Sequence, residues 1–174
     1  AEKYFDKLYP NGEFKLASTD PEFADFFANF SGDEVVNQDD LDDRTRMMAV
    51  LAALLGCQGI DEFREILPGA LNLGLTPVEV KEIVYQACAY LGFGRVRPFF
   101  DVVNDVLTEE GVSLPLEGQA TTSIEDRVEK GEQAQVDIFG DGMKGFSSSG
   151  PEESRHINRR LSGNCFGDYY TRTG

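Results

Sequence analysis

The sequence predicts an all-α fold, a helical bundle built around a central helical hairpin. Three observations carry that expectation. Between residues 44 and 107 apolar side chains recur at helical spacing in four consecutive runs. Residues that cap or stop helices punctuate those runs, and nowhere do apolar and polar residues alternate as in a half-buried strand. With 174 residues the chain has room for one domain, or for one domain and a sizeable arm, and needs no disulfide or structural metal to hold a core.

In chain order, Asp20 and Pro21 open a short helix with Phe23, Phe26, Phe27 and Phe30 on roughly one side. Aromatic residues at this spacing are expected in the core. The cluster Asp39, Asp40, Asp42 and Asp43 then precedes an apolar run, where negative side chains suit the positive end of a helix dipole. The glycine and closing glutamate of an EF-hand calcium loop are absent from it. Residues 44–55 (RTRMMAVLAALL) are apolar nearly all round after the second arginine, which predicts a central buried helix ended by Gly56. Apolar positions 60, 63, 66, 67, 70 and 71 keep a helical period until Gly74, and Pro68 among them predicts a kink or an early break.

Thr76, Pro77 and Glu79 supply an N-cap, a first-turn proline and a reciprocal capping glutamate. The helix they open has apolar residues at 80, 83, 84, 87, 88 and 91, and Cys88 on this stripe reads as core. After a short break at 91–94, positions 96, 99, 100, 103, 106 and 107 continue the pattern to Gly111. Two helices joined so closely pack as a hairpin. Residues 112–123 then read as extended and polar. Ser123 and Asp126 cap a weakly amphipathic helix to about Phe139, and residues 140–150 (GDGMKGFSSSG) have the composition of a mobile loop.

Charge narrows the function. Sixteen basic against 31 acidic residues give a net charge of −15, of which −9 lies in residues 1–43. This disfavours binding to nucleic acid or to an anionic membrane. Three cysteines without a CxxC argue for a reducing compartment. No apolar run approaches the ~20 residues of a membrane span, and the N-terminal residues lack the order of a signal peptide. A soluble, cytoplasmic protein is expected, without membrane or nucleic-acid partners and without cofactor or metal.

An internal repeat organises the chain. Asn29, Gly32 and Asp33 of NFSGD recur as Asn164, Gly167 and Asp168 of NCFGD, each displaced by 135 positions. Upstream, LYPNG at 8–12 has a looser echo in IFGDG at 138–142. The chain is expected to hold one whole unit and the lead-in of another.

The segments RTRMMAVLAALLG (44–56), 68–107 and FGDYYTR (166–172) resemble the carboxymuconolactone decarboxylase family, whose fold is shared with alkylhydroperoxidase D. The specific part is Ala-Leu-x-x-Gly-Leu-Thr-x-x-Glu-Val-x-Glu at 70–82, followed by Tyr-x-Gly at 90–92. The resemblance implies an alkylhydroperoxidase D-like helical bundle that assembles into a homo-oligomer, a trimer or hexamer of units, and a small-molecule substrate. With the repeat, it implies a tandem member: a complete unit at 1–116, then a linker and the lead-in of a second, incomplete unit at 117–174.

The resemblance also implies a catalytic relay. Peroxidase-type members carry a glutamate after the first arginine-rich turn, a CxxC, and a histidine one helical turn later; two thiols and a base are what such chemistry needs. On this chain the glutamate position falls on Met47, the cysteines on Gly59 and Glu62, and the histidine on Ile66. Decarboxylase-type members use the histidine without the CxxC, and Ile66 removes that as well. The first unit is therefore expected to be catalytically degenerate.

Four candidate catalytic residues remain: Cys57, Glu62, Cys165 and His156. Cys57, with Asp61 and Glu62 one turn on, is either a lone peroxidatic thiol or a small buried residue at a helix end; no cation in sequence reach would stabilise its thiolate. Cys165 follows Arg155, Arg159 and Arg160, which favour a lowered thiol pKa. His156 is the sole histidine, in a context typical of the surface. Two functions follow. One is a family enzyme acting on a small organic acid or lactone, or reducing a peroxide with thiols. The other is a non-catalytic helical module for oligomerisation or scaffolding.

Overall fold

In the computed structural model, which describes residues 2–10, 12 and 14–174, the chain divides into two compact units, Ala1–Leu116 and Glu117–Gly174. Among the described residues there are helices and turns and no strand, so the fold is all-α. Asn11, within the first copy of the looser repeat, lies outside the described residues.

Unit 1 contains α1 (Glu2–Leu8), α2 (Pro21–Asn29), α3 (Asp43–Cys57), α4 (Ile60–Asn72), α5 (Pro77–Leu91) and α6 (Phe93–Glu109). Its core is the meeting of the four expected helical runs: Met47, Leu51 and Leu55 from α3, Phe63, Ile66 and Leu67 from α4, Val80 and Val84 from α5, and Val96, Phe99, Val103 and Leu107 from α6. Phe63 and Phe99 meet edge to face with ring centroids 5.2 Å apart. Each buried aliphatic side chain contributes about 1.5–3 kcal/mol, which is why periodicity alone locates these helices.

Thr76 and Glu79 form the expected reciprocal capping box, and Asp42, read only as a charge at the helix dipole, caps α3 by accepting from the Thr45 amide at 2.9 Å. The expected cap of the helix at Arg127–Phe139 is not made: the Asp126 side chain accepts from the Ser123 amide at 2.6 Å and from no amide of the helix. The α5–α6 hairpin turns on Gly92 alone, whose φ of 81° is open to glycine and strained for other residues.

Four further local expectations are corrected. Gly56 does not end α3: the helix runs to Cys57, and Gln58 closes it in the left-handed region, its side-chain amide donating to the Leu55 carbonyl at 2.7 Å. Pro68 does not break α4, which continues to Asn72. Only one face of α3 is buried, since Ala49, Val50 and Ala53 are exposed. The phenylalanines of α2 form an aromatic cluster with Phe5, Tyr9 and Phe14, yet Phe23, Phe26 and Phe30 are largely exposed.

Helix α1 reaches α4 by direct backbone approach at Gly69. A Cβ there would lie 2.1 Å from the Leu8 carbonyl oxygen. The first glycine of the PGALNLG segment is thus a packing requirement.

Unit 2 contains α7 (Arg127–Phe139), α8 (Arg155–Arg160) and a π-helical segment, Leu161–Tyr170. Its centre is equally close. A Cβ on Gly131 would stand 1.8 Å from the Ser162 carbonyl oxygen, and one on Gly167 would stand 2.0 Å from that of Arg127. Around this contact, Ser162 donates to Gln135 at 2.5 Å and Arg127 pairs with Asp168 at 2.6 Å. The glycine- and serine-rich segment 140–150, read as a mobile loop, forms two short 3-10 turns, and the Glu132 carboxylate accepts from the Gly145 and Ser147 amides at 2.8 and 2.9 Å. The glycine and aspartate of both copies of the Asn-x-x-Gly-Asp repeat fall on π-helical turns, at Phe30–Glu34 and at Leu161–Tyr170, with Gly32 and Gly167 buried, while Asn29 ends α2 and Asn164 lies within the second turn.

Candidate functional site

The four positions that the resemblance assigns to a relay lie on α3, α4 and the turn between them. Met47, 1% exposed, and Ile66, 3% exposed, belong to the unit 1 core. Gly59 is the residue before α4, and Glu62 lies in its first turn, half-buried. Helix α1 and the residue that follows it bring two tyrosines, Tyr4 and Tyr9, over this region. The Tyr4 hydroxyl stands 4.0 Å from the Met47 sulfur, and the Tyr9 hydroxyl donates to Glu62 Oε1 at 2.8 Å.

Burial comes first among the causes that push the Tyr9 phenol well above its usual value, followed by the Glu62 charge and the hydrogen bond to it. Tyr4 is raised likewise, by burial and then by Asp43. Both phenols therefore stay protonated, and Tyr9 holds Glu62 as a hydrogen-bond donor would hold a carboxylate.

Beside Tyr9 lies a cleft of about 230 Å³, walled by Pro10, Pro68 and Val106 and carrying the charged groups of Lys15, Arg64, Glu65 and Glu109. Lys15 pairs with Glu65 at 2.6 Å, and Arg64 reaches Glu109 at 2.8 Å and Asp105 at 3.4 Å. Both cations at this concave, partly apolar surface are thus paired with carboxylates of the same unit.

Of the sequence candidates, Cys57 and Glu62 stand in unit 1 and Cys165 and His156 in unit 2. Cys57 is exposed at the C-terminal end of α3, so it is not the small buried residue that one alternative foresaw. Its sulfur lies 3.6 Å from the Leu54 carbonyl oxygen. Cys165 is half-buried, and burial pushes its thiol up, against the lowering that the nearby arginines suggested. His156 is exposed on α8. All three cysteines are unpaired. No group of three or more metal-ligating side chains occurs among the described residues, and no helix there is long and apolar enough to cross a membrane.

Tyr4, Tyr9 and Lys15 were missed by sequence reasoning. Their partners Met47, Glu62 and Glu65 are some 40–55 positions away, and no local spacing signals such a contact.

Comparison with known proteins bears on the same stretch. Residues 21–105 match the model of the carboxymuconolactone decarboxylase family. A 4-carboxymuconolactone decarboxylase of Acinetobacter baylyi is 26% identical over 112 residues, which cover 64% of this chain and 81% of that protein. No solved structure matches the chain.

Proposed function

Because the chain belongs to the carboxymuconolactone decarboxylase family through residues 21–105, we propose that unit 1 is a non-catalytic member of it, a helical module for homo-oligomeric assembly. Membership supports a carboxymuconolactone decarboxylase-like function at the level of the family; the finer reading rests on what fills the relay positions. The observation that carries it is the burial of Met47 and Ile66, apolar residues standing where the resemblance puts the glutamate and the histidine. Neither can take or give a proton, and neither is open to a substrate. Gly59 and Glu62 supply no thiol pair, so a disulfide-forming peroxidase cycle has no second sulfur beside Cys57.

Unit 2 is, on this reading, a second lead-in like residues 1–43. The glycine and aspartate of the Asn-x-x-Gly-Asp repeat, on π-helical turns in both copies, support it. The three unpaired cysteines suit the reducing cytoplasm expected from composition.

Turnover tests the proposal. The full chain is assayed for release of carbon dioxide from 4-carboxymuconolactone and for thiol-dependent reduction of hydrogen peroxide. Rates at the uncatalysed background in both are expected. A rate above background that Cys57→Ser or Cys165→Ser abolishes would restore cysteine chemistry and overturn the reading.

The cleft beside Tyr9 favours a second reading, in which the family function survives as binding or conversion of a small organic acid. Lys15 and Arg64 are the groups that would meet its carboxylates, in exchange for their present partners Glu65 and Glu109. Lactone turnover that is lost in Arg64→Ala and kept in Cys57→Ser would select it.

A further inference from the structure

Helix α3 is apolar nearly all round, yet the core of unit 1 takes only its Met47, Leu51 and Leu55 face. On the other side Ala49, Val50 and Ala53, together with Phe30, Val35 and Leu41, line an open groove of about 530 Å³. Phe30 is 59% exposed. An exposed apolar concavity of this kind marks a contact surface.

The groove has a sign. Glu34 and Asp39 stand on its rim, and residues 29–43 hold six acidic and no basic side chains. Arg46, its one lining cation, is already engaged: it donates to the Val36 and Leu41 carbonyls at 3.1 and 2.6 Å and stands 3.7 Å from Asp39. The fitting partner is therefore an apolar projection flanked by cations.

The α5–α6 turn of the same unit has that chemistry. Tyr90 and Phe93, on either side of Gly92, are 66% and 61% exposed. Arg95 and Arg97 follow directly, and residues 89–97 contain no acid. Arg97 pairs with Asp101 on its own helix, while Arg95 is exposed and makes no ion pair among the described residues. Aromatic residues backed by arginine are the side chains that dominate protein contacts.

We propose that the α5–α6 turn of one copy seats in the α3 groove of a second copy, with Phe93 and Tyr90 against Phe30 and Val50 and with Arg95 facing Glu34 and Asp39. The contact joins two different surfaces, so every copy keeps one free groove and one free turn for the next. Such head-to-tail contacts form a ring where the rotation from copy to copy closes and an open filament where it does not. The inference rests on the assembly reading above and names its interface.

The test is the mass of the full chain by size-exclusion chromatography with light scattering. Wild type is expected at a multiple of the 19.3 kDa chain mass. Phe93→Asp, which removes the projection, and Phe30→Arg, which blocks the groove, are each expected to fall to the single-chain mass with an unchanged circular dichroism spectrum. Mixed in equal amounts, the two variants are expected to pair at twice that mass, because one sound groove and one sound turn remain between them. If either variant fails to fold, Arg95→Glu and Glu34→Arg replace them, and combining both reversals in one chain is expected to restore the multimer. A wild-type multimer that none of these variants breaks overturns the interface and leaves the assembly reading standing. Monomeric variants that do not pair on mixing overturn the head-to-tail geometry. A monomeric wild type overturns both the interface and the assembly reading.

Discussion

Replacing Gly69 by alanine sets two physical effects of opposite sign against each other. Within a helix interior, Gly→Ala is stabilising by about 1 kcal/mol through backbone entropy. At Gly69, however, the added Cβ would stand 2.1 Å from the Leu8 carbonyl oxygen and 2.6 Å from the Leu8 Cα. Both are backbone atoms, so no rotamer change relieves the clash and α1 must move off α4. Overpacking of this severity costs about 2–3 kcal/mol, the upper part of the usual range. The net expectation is a destabilisation of about 1–2 kcal/mol, with the Tyr9–Glu62 bond weakened as α1 lifts. Gly56, inside α3 with open space where its Cβ would stand, is the control, and Gly56→Ala is expected to stabilise. Urea denaturation followed by circular dichroism gives both free energies, and amide hydrogen exchange along α1 and α4 locates the change. Equal stabilisation by the two substitutions would refute the close-approach argument.

Three further outcomes follow from the same contacts. Gly131→Ala and Gly167→Ala are each expected to destabilise unit 2 by about 1–3 kcal/mol, since their Cβ atoms would meet backbone oxygens of the facing segment; exchange protection across α7 checks this. Tyr9→Phe removes the donor from Glu62 and is expected to cost about 1 kcal/mol at neutral pH, discounted because Glu62 keeps some access to water. Because the folded Tyr9 pKa is raised, its contribution is fully present below about pH 10 and lost as pH rises beyond, so the wild-type and Tyr9→Phe melting curves should converge in strong alkali. Glu132 has a lowered pKa, first through its bonds from Ser147, so its hold on residues 145–147 is complete above the usual carboxylate value and fades as pH falls below it; Glu132→Gln should remove this acid sensitivity, seen by proteolysis within 140–150 across an acid series.

The unit 1 helices were legible because burial imposes the 3.6-residue period on any helix packed along one face, and because the Thr76–Glu79 box needs only neighbours in sequence. Helix ends were less so. Gly56 had the composition of a stop, but Gln58 adopts the left-handed turn, and the choice depends on what the surrounding segment packs against. The exposure of Phe26 and Phe30 follows from the same limit, since spacing puts them on one face without saying what lies opposite. At the site, the apolar character of Met47 and Ile66 was legible directly, whereas the Tyr9–Glu62 pair required knowing that α1 crosses α4.

By itself, then, the sequence determined the all-α class, the four core helices and a hairpin break at 91–94. Each of these depends on residue type and spacing within one or two helical turns. Only the tertiary structure decided which face of α3 is covered, that α1 rests on Gly69, and that Lys15 and Arg64 flank one cleft. Those depend on contacts between residues tens of positions apart, made by backbone approach and by burial, for which a linear pattern holds no record.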